Sequence, residues 1–243
     1  MADIETIETE LMLADLDSLE KRVDNLTKKA KGNDKDAKEQ LDLVNRTLVL
    51  LREGKPARLV ERKAEEERAF GMLGLLSSKP VLYVCNVEEG SAATGNSFSR
   101  AVEEHAAKEG AVAVVISAKI ESEIATISRE ERADFLETLG LEEAGLDRLI
   151  RAGYSLLHLI TYFTVGPKEA RAWTIHRGTK GPGAAGVIHT DFEKGFIRAE
   201  TIAYEDYVAL NGEAGARDAG KLRLEGKEYV VADGDVMHFR FNN

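Results

Sequence analysis

Lys79-Pro80-Val81-Leu82-Tyr83-Val84-Cys85 runs directly into Asn86-Val87-Glu88-Glu89, and further along Ala111-Val112-Ala113-Val114-Val115-Ile116 runs into Ser117-Ala118-Lys119. Both apolar runs read as short buried strands bounded by polar loops. Between them Phe98 to Lys108 has helical character and is closed by Gly110. A strand, a helix and a second strand in this order imply parallel pairing through a right-handed crossover. In an open α/β sheet the ligand sits beyond the carboxyl ends of the strands, so both polar loops fall on the ligand side. A helix is expected through about Glu61 to Leu76, leading into the first strand. Two strands do not make a stable doubly wound sheet, so residues 68–157 are read as the last third of a larger α/β domain. Ser128-Arg129-Glu130-Glu131 has the form of a helix-starting capping box, and Leu146 to Leu157 that of an amphipathic helix.

A nucleotide site also needs a phosphate loop, Gly-x-x-x-x-Gly-Lys-Ser/Thr between a strand and a helix, whose backbone N–H groups wrap the phosphates. The nearest match is Gly215-Ala216-Arg217-Asp218-Ala219-Gly220-Lys221, where Leu222 replaces the magnesium-ligating hydroxyl. Tyr204 to Leu210 ahead of it reads as a short helix and not as a strand, so this stretch is taken as a glycine-rich surface loop. Gly178 to Gly186 is likewise read as a flexible connector.

The composition is that of an ordinary water-soluble chain: 243 residues, 43% hydrophobic, with a formal net charge of −10. There is no apolar run long enough to span a bilayer, and the acidic, amphipathic N-terminus is unlike a signal peptide. The single cysteine, Cys85, falls in the first strand, where a small core residue in a reducing compartment is the expected role. These features point to the cytoplasm and to no membrane partner. The negative charge opposes bulk attraction to nucleic acid. Residues 158–243, with 11 basic and 12 acidic side chains, are the least unfavourable part.

Ahead of the α/β segment, Met12, Leu16, Leu19, Val23, Leu26 and Ala30 recur at alternating four- and three-residue steps. Ala37, Leu41, Val44, Leu48 and Leu51 repeat the seam. Gly32-Asn33-Asp34 between them supplies a terminating glycine and then a capping side chain. Two matched stripes with a short connection predict an antiparallel helical hairpin over residues 1–67. Lys28, Lys29, Lys31, Lys35 and Lys38 gather at its tip, a candidate polyanion contact. Beyond the α/β segment, Ile160–Val165 and Ala170–Ile175 read as a hairpin around Gly166-Pro167-Lys168-Glu169. Glu228–Ala232 and Val236–Phe241 read as returning strands. Residues 158–243 are thus a small α+β unit.

Several of these stretches carry a family resemblance. Asn86-x-x-Glu89 with Ser117-Ala118-Lys119 resembles the two base-reading loops of small P-loop GTPases, in the form found in the YchF/Obg-like ATPases. Thr164-Val165-Gly166, Arg171-Ala172-Trp173-Thr174-Ile175, the run His189 to Ala199, and Asp233-Gly234-Asp235-Val236 resemble that family's C-terminal TGS domain. Glu10 to Asp17 and Lys29 to Lys38 resemble its helical insertion. The resemblance covers essentially the whole chain. It implies an α/β and α+β multidomain protein: an antiparallel helical hairpin (1–67) inserted in the C-terminal part of a P-loop GTPase-like α/β domain (68–157), followed by a β-grasp, ubiquitin-like TGS domain (158–243).

Family members begin with a P-loop and switch regions, and this chain starts after them, as a truncated product or fragment would. By resemblance Asn86, Val87, Glu89, Ser117 and Ala118 are the base-binding residues. Asn86 offers an amide that donates and accepts at a purine edge, and Val87 offers backbone groups. Glu89 stands where GTPases carry the aspartate that grips guanine, Ser117 and Ala118 close the pocket, and the Lys119 stem packs nearby. The implied cofactor is ATP, with GTP possible; magnesium belongs to the intact family protein and has no ligand assigned in this chain. His105, His158, His176, His189 and His238 are dispersed, without zinc spacing among themselves or with Cys85. No catalytic residue and no metal site are therefore assigned. The expectation is part of a purine-nucleotide-binding, ribosome-associated ATPase, inactive in hydrolysis on its own. The alternative is a non-catalytic module that contacts ribosomal RNA or protein, with self-association possible through the incomplete sheet.

Overall fold

The computed structural model describes residues 1–242 and divides into two compact units, Met1–Arg148 and the stretch from Leu149 onward.

The first unit opens with α1 (Ala2–Lys31) and α2 (Lys35–Arg52). Their apolar stripes meet as the periodicity requires. Leu19 is fully buried in a cluster with Leu43, Val44, Leu48 and Leu51, flanked by Met12, Leu16, Val23 and Leu26. Burying a leucine of this kind contributes about 2 kcal/mol. The connection differs in one detail from the sequence reading. The left-handed residue is Asn33, at φ +69°, and Gly32 keeps φ −74°. Asparagine tolerates that region because its short amide can bond locally, and its Oδ1 accepts from the Lys38 ammonium at 2.7 Å. Asp34 caps α2, accepting from the Ala37 N–H at 3.1 Å.

The helix expected over 61–76 is shorter: α3 spans Glu67–Leu73, after 3-10 turns at Ala57–Leu59 and Ala64–Glu66. Its onset is fixed by Glu66, whose carboxylate accepts from the Lys63 N–H at 2.7 Å and pairs with Arg46. Gly74, at φ +67°, ends it. Strand β1 (Leu82–Asn86) pairs in parallel with β2 (Val112–Ile116), from Leu82 opposite Val112 to Asn86 opposite Ile116. It starts beyond Pro80, which has no N–H to give a ladder. Between the strands runs α4 (Ser97–Glu109), capped by Asn96 and closed by left-handed Gly110. The expectation of a buried first strand is corrected: Val84 is 45% exposed and Cys85 half-buried, because β1 has only β2 beside it among the described residues. Then follow α5 (Ala118–Ile124), α6 (Arg132–Thr138) and α7 (Gly145–Leu156), within which the division between the two units falls. Ile120, Ile124, Leu141 and Ala144 form a core with Phe135 and Leu136 packed on it. The Ser128 box is made, Glu131 accepting from the Ser128 hydroxyl at 2.7 Å.

The second unit is a five-stranded sheet: β3 (Leu159–Val165), β4 (Ala170–His176), β5 (Phe196–Ala203), β6 (Arg223–Glu225) and β7 (Asp235–Phe241). Their order across the sheet is β4-β3-β7-β5-β6, with β3 and β7 parallel and the other pairs antiparallel. Ile160, Tyr162, Phe196, Ala199, Met237 and Phe239 make its core. Three readings change here. The Gly178–Gly186 stretch is not a flexible connector: Gly181–Ile188 is a helix, α8, with Ala184 and Ala185 fully buried and Pro182 in its first turn. Gly181 has no room for a side chain, since a Cβ would lie 2.9 Å from the Phe196 ring. Glu228–Ala232 is not a strand; only Val230 bridges, to Lys180. The near-match at Gly215–Gly220 is mostly helix, α11 (Glu213–Asp218), following α9 (Thr190–Lys194) and the expected short helix α10 (Tyr204–Ala209).

Candidate functional site

Parallel register places the ends of β1 and β2 side by side, with Asn86 opposite Ile116. The loops that leave them are stitched together. The Val87 N–H donates to the Ile116 carbonyl at 2.8 Å, extending the ladder past the strand end. Asn86 Oδ1 accepts from the Ala118 N–H at 2.9 Å. Lys119 Nζ donates to Glu89 Oε2 at 2.8 Å. The sequence-derived residues Asn86, Val87, Glu89, Ser117 and Ala118 therefore lie in one cluster, though 30 positions separate Glu89 from Lys119 in the chain.

Their environments differ. Val87 and Ser117 are buried, whereas Asn86, Glu89 and Ala118 are exposed. The Ser117 hydroxyl, in a residue only 3% exposed, has no hydrogen-bond partner among the described residues. A buried hydroxyl left alone costs about 1–3 kcal/mol, so it is a donor held in reserve. Asn86 uses its oxygen on Ala118, and its Nδ2 has no partner among the described residues. The amide is thereby oriented by the neighbouring loop with its donor end unspent. Lys119 is more than stem packing: its ammonium occupies the Glu89 carboxylate, which raises the lysine pKa by hydrogen bonding and charge. Glu88, which the sequence reading did not single out, braces the loop by accepting from the Ser91 hydroxyl and from Asn96 Nδ2 at 3.2 Å. Burial pushes the Cys85 thiol pKa up, which disfavours a reactive thiolate one residue before the site.

Chemically this arrangement can read a flat, hydrogen-bonding group, with an oriented amide, a carboxylate–ammonium pair and backbone groups within one small area. Comparison with known proteins gives the chain its relatives. A protein-family model, YchF-GTPase_C, described as a protein of unknown function (DUF933), matches residues 159–242. Over 242 residues the chain is 54% identical to the ribosome-binding ATPase YchF of Bacillus subtilis (strain 168). Over 240 residues it is 56% identical to the protein of the same name from Haemophilus influenzae. Each alignment covers 99% of this chain and 66% of the relative.

The chain belongs to the YchF family.

Among solved structures, the YchF GTPase of Schizosaccharomyces pombe superposes with a TM-score of 0.85 at 32% identity, over 98% of this chain and 65% of that one. A GTP-binding protein from Pyrococcus horikoshii shares the fold, with a TM-score of 0.61 at 19% identity, over 99% of this chain and 71% of that one. The mixed α/β character inferred from the sequence is that of these solved structures. The chain spans 66% of the length of the YchF relatives above, so what those whole proteins do is a separate question from what these residues are. No helix among the described residues is long and apolar enough to cross a membrane.

Proposed function

We propose that this chain carries the base-reading part of a ribosome-associated, purine-nucleotide-dependent ATPase of the YchF kind. The observation that carries the reading is the Asn86–Ala118 hydrogen bond at 2.9 Å, which orients the amide between the two loops. In this reading Asn86 Nδ2 donates to an acceptor on the purine edge, Val87 offers its backbone carbonyl, its N–H being held by Ile116, and Ser117 and Ala118 close the pocket. Glu89 reads the base only by sharing its carboxylate with Lys119, an arrangement less suited to gripping two guanine donors than a free carboxylate; ATP is therefore the favoured nucleotide, and GTP the weaker one. The loops fit a base. They offer nothing to the phosphates or to magnesium, and no hydrolytic step is assigned to them.

The domain reading supports the same assignment. The strand order β4-β3-β7-β5-β6, with the first and last strands parallel at the centre, is the order of a β-grasp sheet and supports a TGS domain over residues 158–243. The packed α1–α2 pair supports a helical hairpin over residues 1–67, leaving 68–157 to the nucleotide-binding domain. The test is calorimetric titration of ATP, GTP and adenosine into the chain and into Asn86→Ala. Base-dependent binding that weakens about tenfold in the variant, the effect of one hydrogen bond, is expected. Equal affinity of the two proteins for ATP overturns the assignment.

A second reading rests on the exposed lysines at the α1–α2 turn: Lys28, Lys29, Lys31, Lys35 and Lys38. Among the described residues only Lys35 and Lys38 have side-chain partners, Glu39 at 3.8 Å and Asn33 at 2.7 Å. Here the chain is a non-catalytic module whose helical tip and C-terminal domain contact ribosomal RNA or protein. The relatives' shared description as ribosome-binding supports it. Phosphate contacts make binding salt-dependent, so ribosome co-sedimentation that is insensitive to salt and to loss of these lysines excludes it.

A further inference from the structure

Away from the base-reading loops, α1 brings Glu8 against α4, beside His105 and Glu109. His105 Nε2 lies 3.7 Å from Glu8 Oε2 and 3.7 Å from Glu109 Oε1. One ligand atom from each of the three residues falls within 4.8 Å of the other two. His105 Nε2 is buried and makes no hydrogen bond among the described residues. The distances are too long for one, yet suit ligands sharing a cation. Two atoms each about 2.1 Å from a zinc ion stand about 3.4 Å apart in a tetrahedron.

The carboxylates are also held from behind. Tyr83 donates to Glu8 Oε1 at 2.5 Å, the oxygen turned away from the histidine. Arg58 Nη2 donates to Glu109 Oε2 at 3.0 Å, again the far oxygen. The near oxygens, Oε2 of Glu8 and Oε1 of Glu109, are the ones left for a shared ion. Tyr83 also meets the His105 ring edge-on, with centroids 5.8 Å apart, fixing its plane. Outer partners that pin each ligand by its second atom are the usual support of a metal centre. Glu8, Tyr83 and Glu109 also line a cavity of about 470 Å³.

We propose that Glu8, His105 and Glu109 form a divalent transition-metal site of the zinc type, with one histidine nitrogen, two carboxylate oxygens and a fourth position open to water. It is independent of the nucleotide reading, being built from α1, α4 and the face of β1 rather than from the strand-end loops. A metal here ties α1 to the α4–β1 layer.

The test is competition for Zn²⁺ against a chromophoric chelator at pH 7.5, with the full chain and with His105→Ala, Glu8→Gln and Tyr83→Phe. One Zn²⁺ per chain is expected. Affinity should fall at least 100-fold in His105→Ala and Glu8→Gln, and about tenfold in Tyr83→Phe, which removes only an outer partner. Co²⁺ loading should give the visible absorption of a low-symmetry four-coordinate ion, absent from His105→Ala. Circular dichroism of each metal-free variant separates lost ligation from lost folding. The proposal is overturned if the folded wild-type chain takes up no Zn²⁺, or if His105→Ala and Glu8→Gln retain its affinity.

Discussion

Asp15 and Ser77 are joined twice across 62 positions of sequence: Asp15 Oδ2 accepts from the Ser77 N–H at 2.7 Å and from its hydroxyl at 2.6 Å. The other carboxylate oxygen accepts from the Leu76 N–H at 2.7 Å, and Asp15 is 3% exposed. Ser77 Oγ in turn accepts from the Ala57 N–H at 3.0 Å. One carboxylate on α1 therefore satisfies the turn that leads into β1.

Replacing Asp15 should expose the worth of that arrangement. Asp15→Ala leaves three donors unpaired, two of them on buried Ser77, and a loss of about 3 kcal/mol is expected in urea denaturation. Asp15→Asn, which keeps the acceptor oxygen but not the charge, should lose less. Equal midpoints for the three proteins would rule the role out.

At the strand-end loops, Lys119→Met should release the Glu89 carboxylate. A free carboxylate accepts from two donors on one base edge, as guanine presents and adenine does not. The ratio of GTP to ATP affinity should therefore rise several-fold, read by calorimetry with both nucleotides. A ratio that stays put, or falls, means that Glu89 does not face the base.

In the second unit Arg240 grips Glu200 with two hydrogen bonds, at 3.2 and 3.1 Å, in a carboxylate only 11% exposed. Those bonds, with the charges of Arg240, His238 and Arg217, hold the Glu200 pKa below its ordinary value despite burial. A depressed pKa means stability that is complete above the unfolded-state value and is lost as pH falls through the folded-state one. Arg240 is half-exposed, so about 1 kcal/mol is at stake. Glu200→Gln should be less stable by that amount at pH 7 and equal to the wild type near pH 2, as followed by thermal melts across pH.

Gly215→Ala should be costly although the residue sits in a surface helix. A Cβ there would lie 2.0 Å from the Leu210 carbonyl oxygen. The backbone must shift to admit it, at about 2 kcal/mol. A neutral effect on the melting temperature would show that the α10–α11 junction yields freely.

Much of this was readable from periodicity and punctuation. The leucine seam around Leu19, the cap at Asp34 and the β3–β4 hairpin follow from local pattern, because each is decided by residues a few positions apart. The pairing of Asn86 with Ala118 was reachable because two strands in parallel align their ends. Helix α8 was not: Gly181-Pro182-Gly183 has poor helix propensity, and the helix exists because Ala184 and Ala185 bury fully against the sheet. The Glu8–His105–Glu109 cluster was equally invisible. His105 and Glu109 share a helix face at i and i+4, but nothing local announces that α1 delivers a third ligand. The Lys119–Glu89 pair was missed for a simpler reason, since lysine at that place was read for its stem and not its charge.

The position of β7 between β3 and β5 also governs how the second unit can be assembled. Phe163 pairs with Val236, and Ile202 with that same Val236 from the other side. Neither half of the sheet can close until a distant segment threads between them, a long-range closure whose entropic cost precedes its reward. Hairpin β3–β4 can form early from local contacts, whereas the central ladder must come late. Refolding of this unit should therefore be a slow, single event, and its rate should answer to changes in β7 more than to changes in the hairpin.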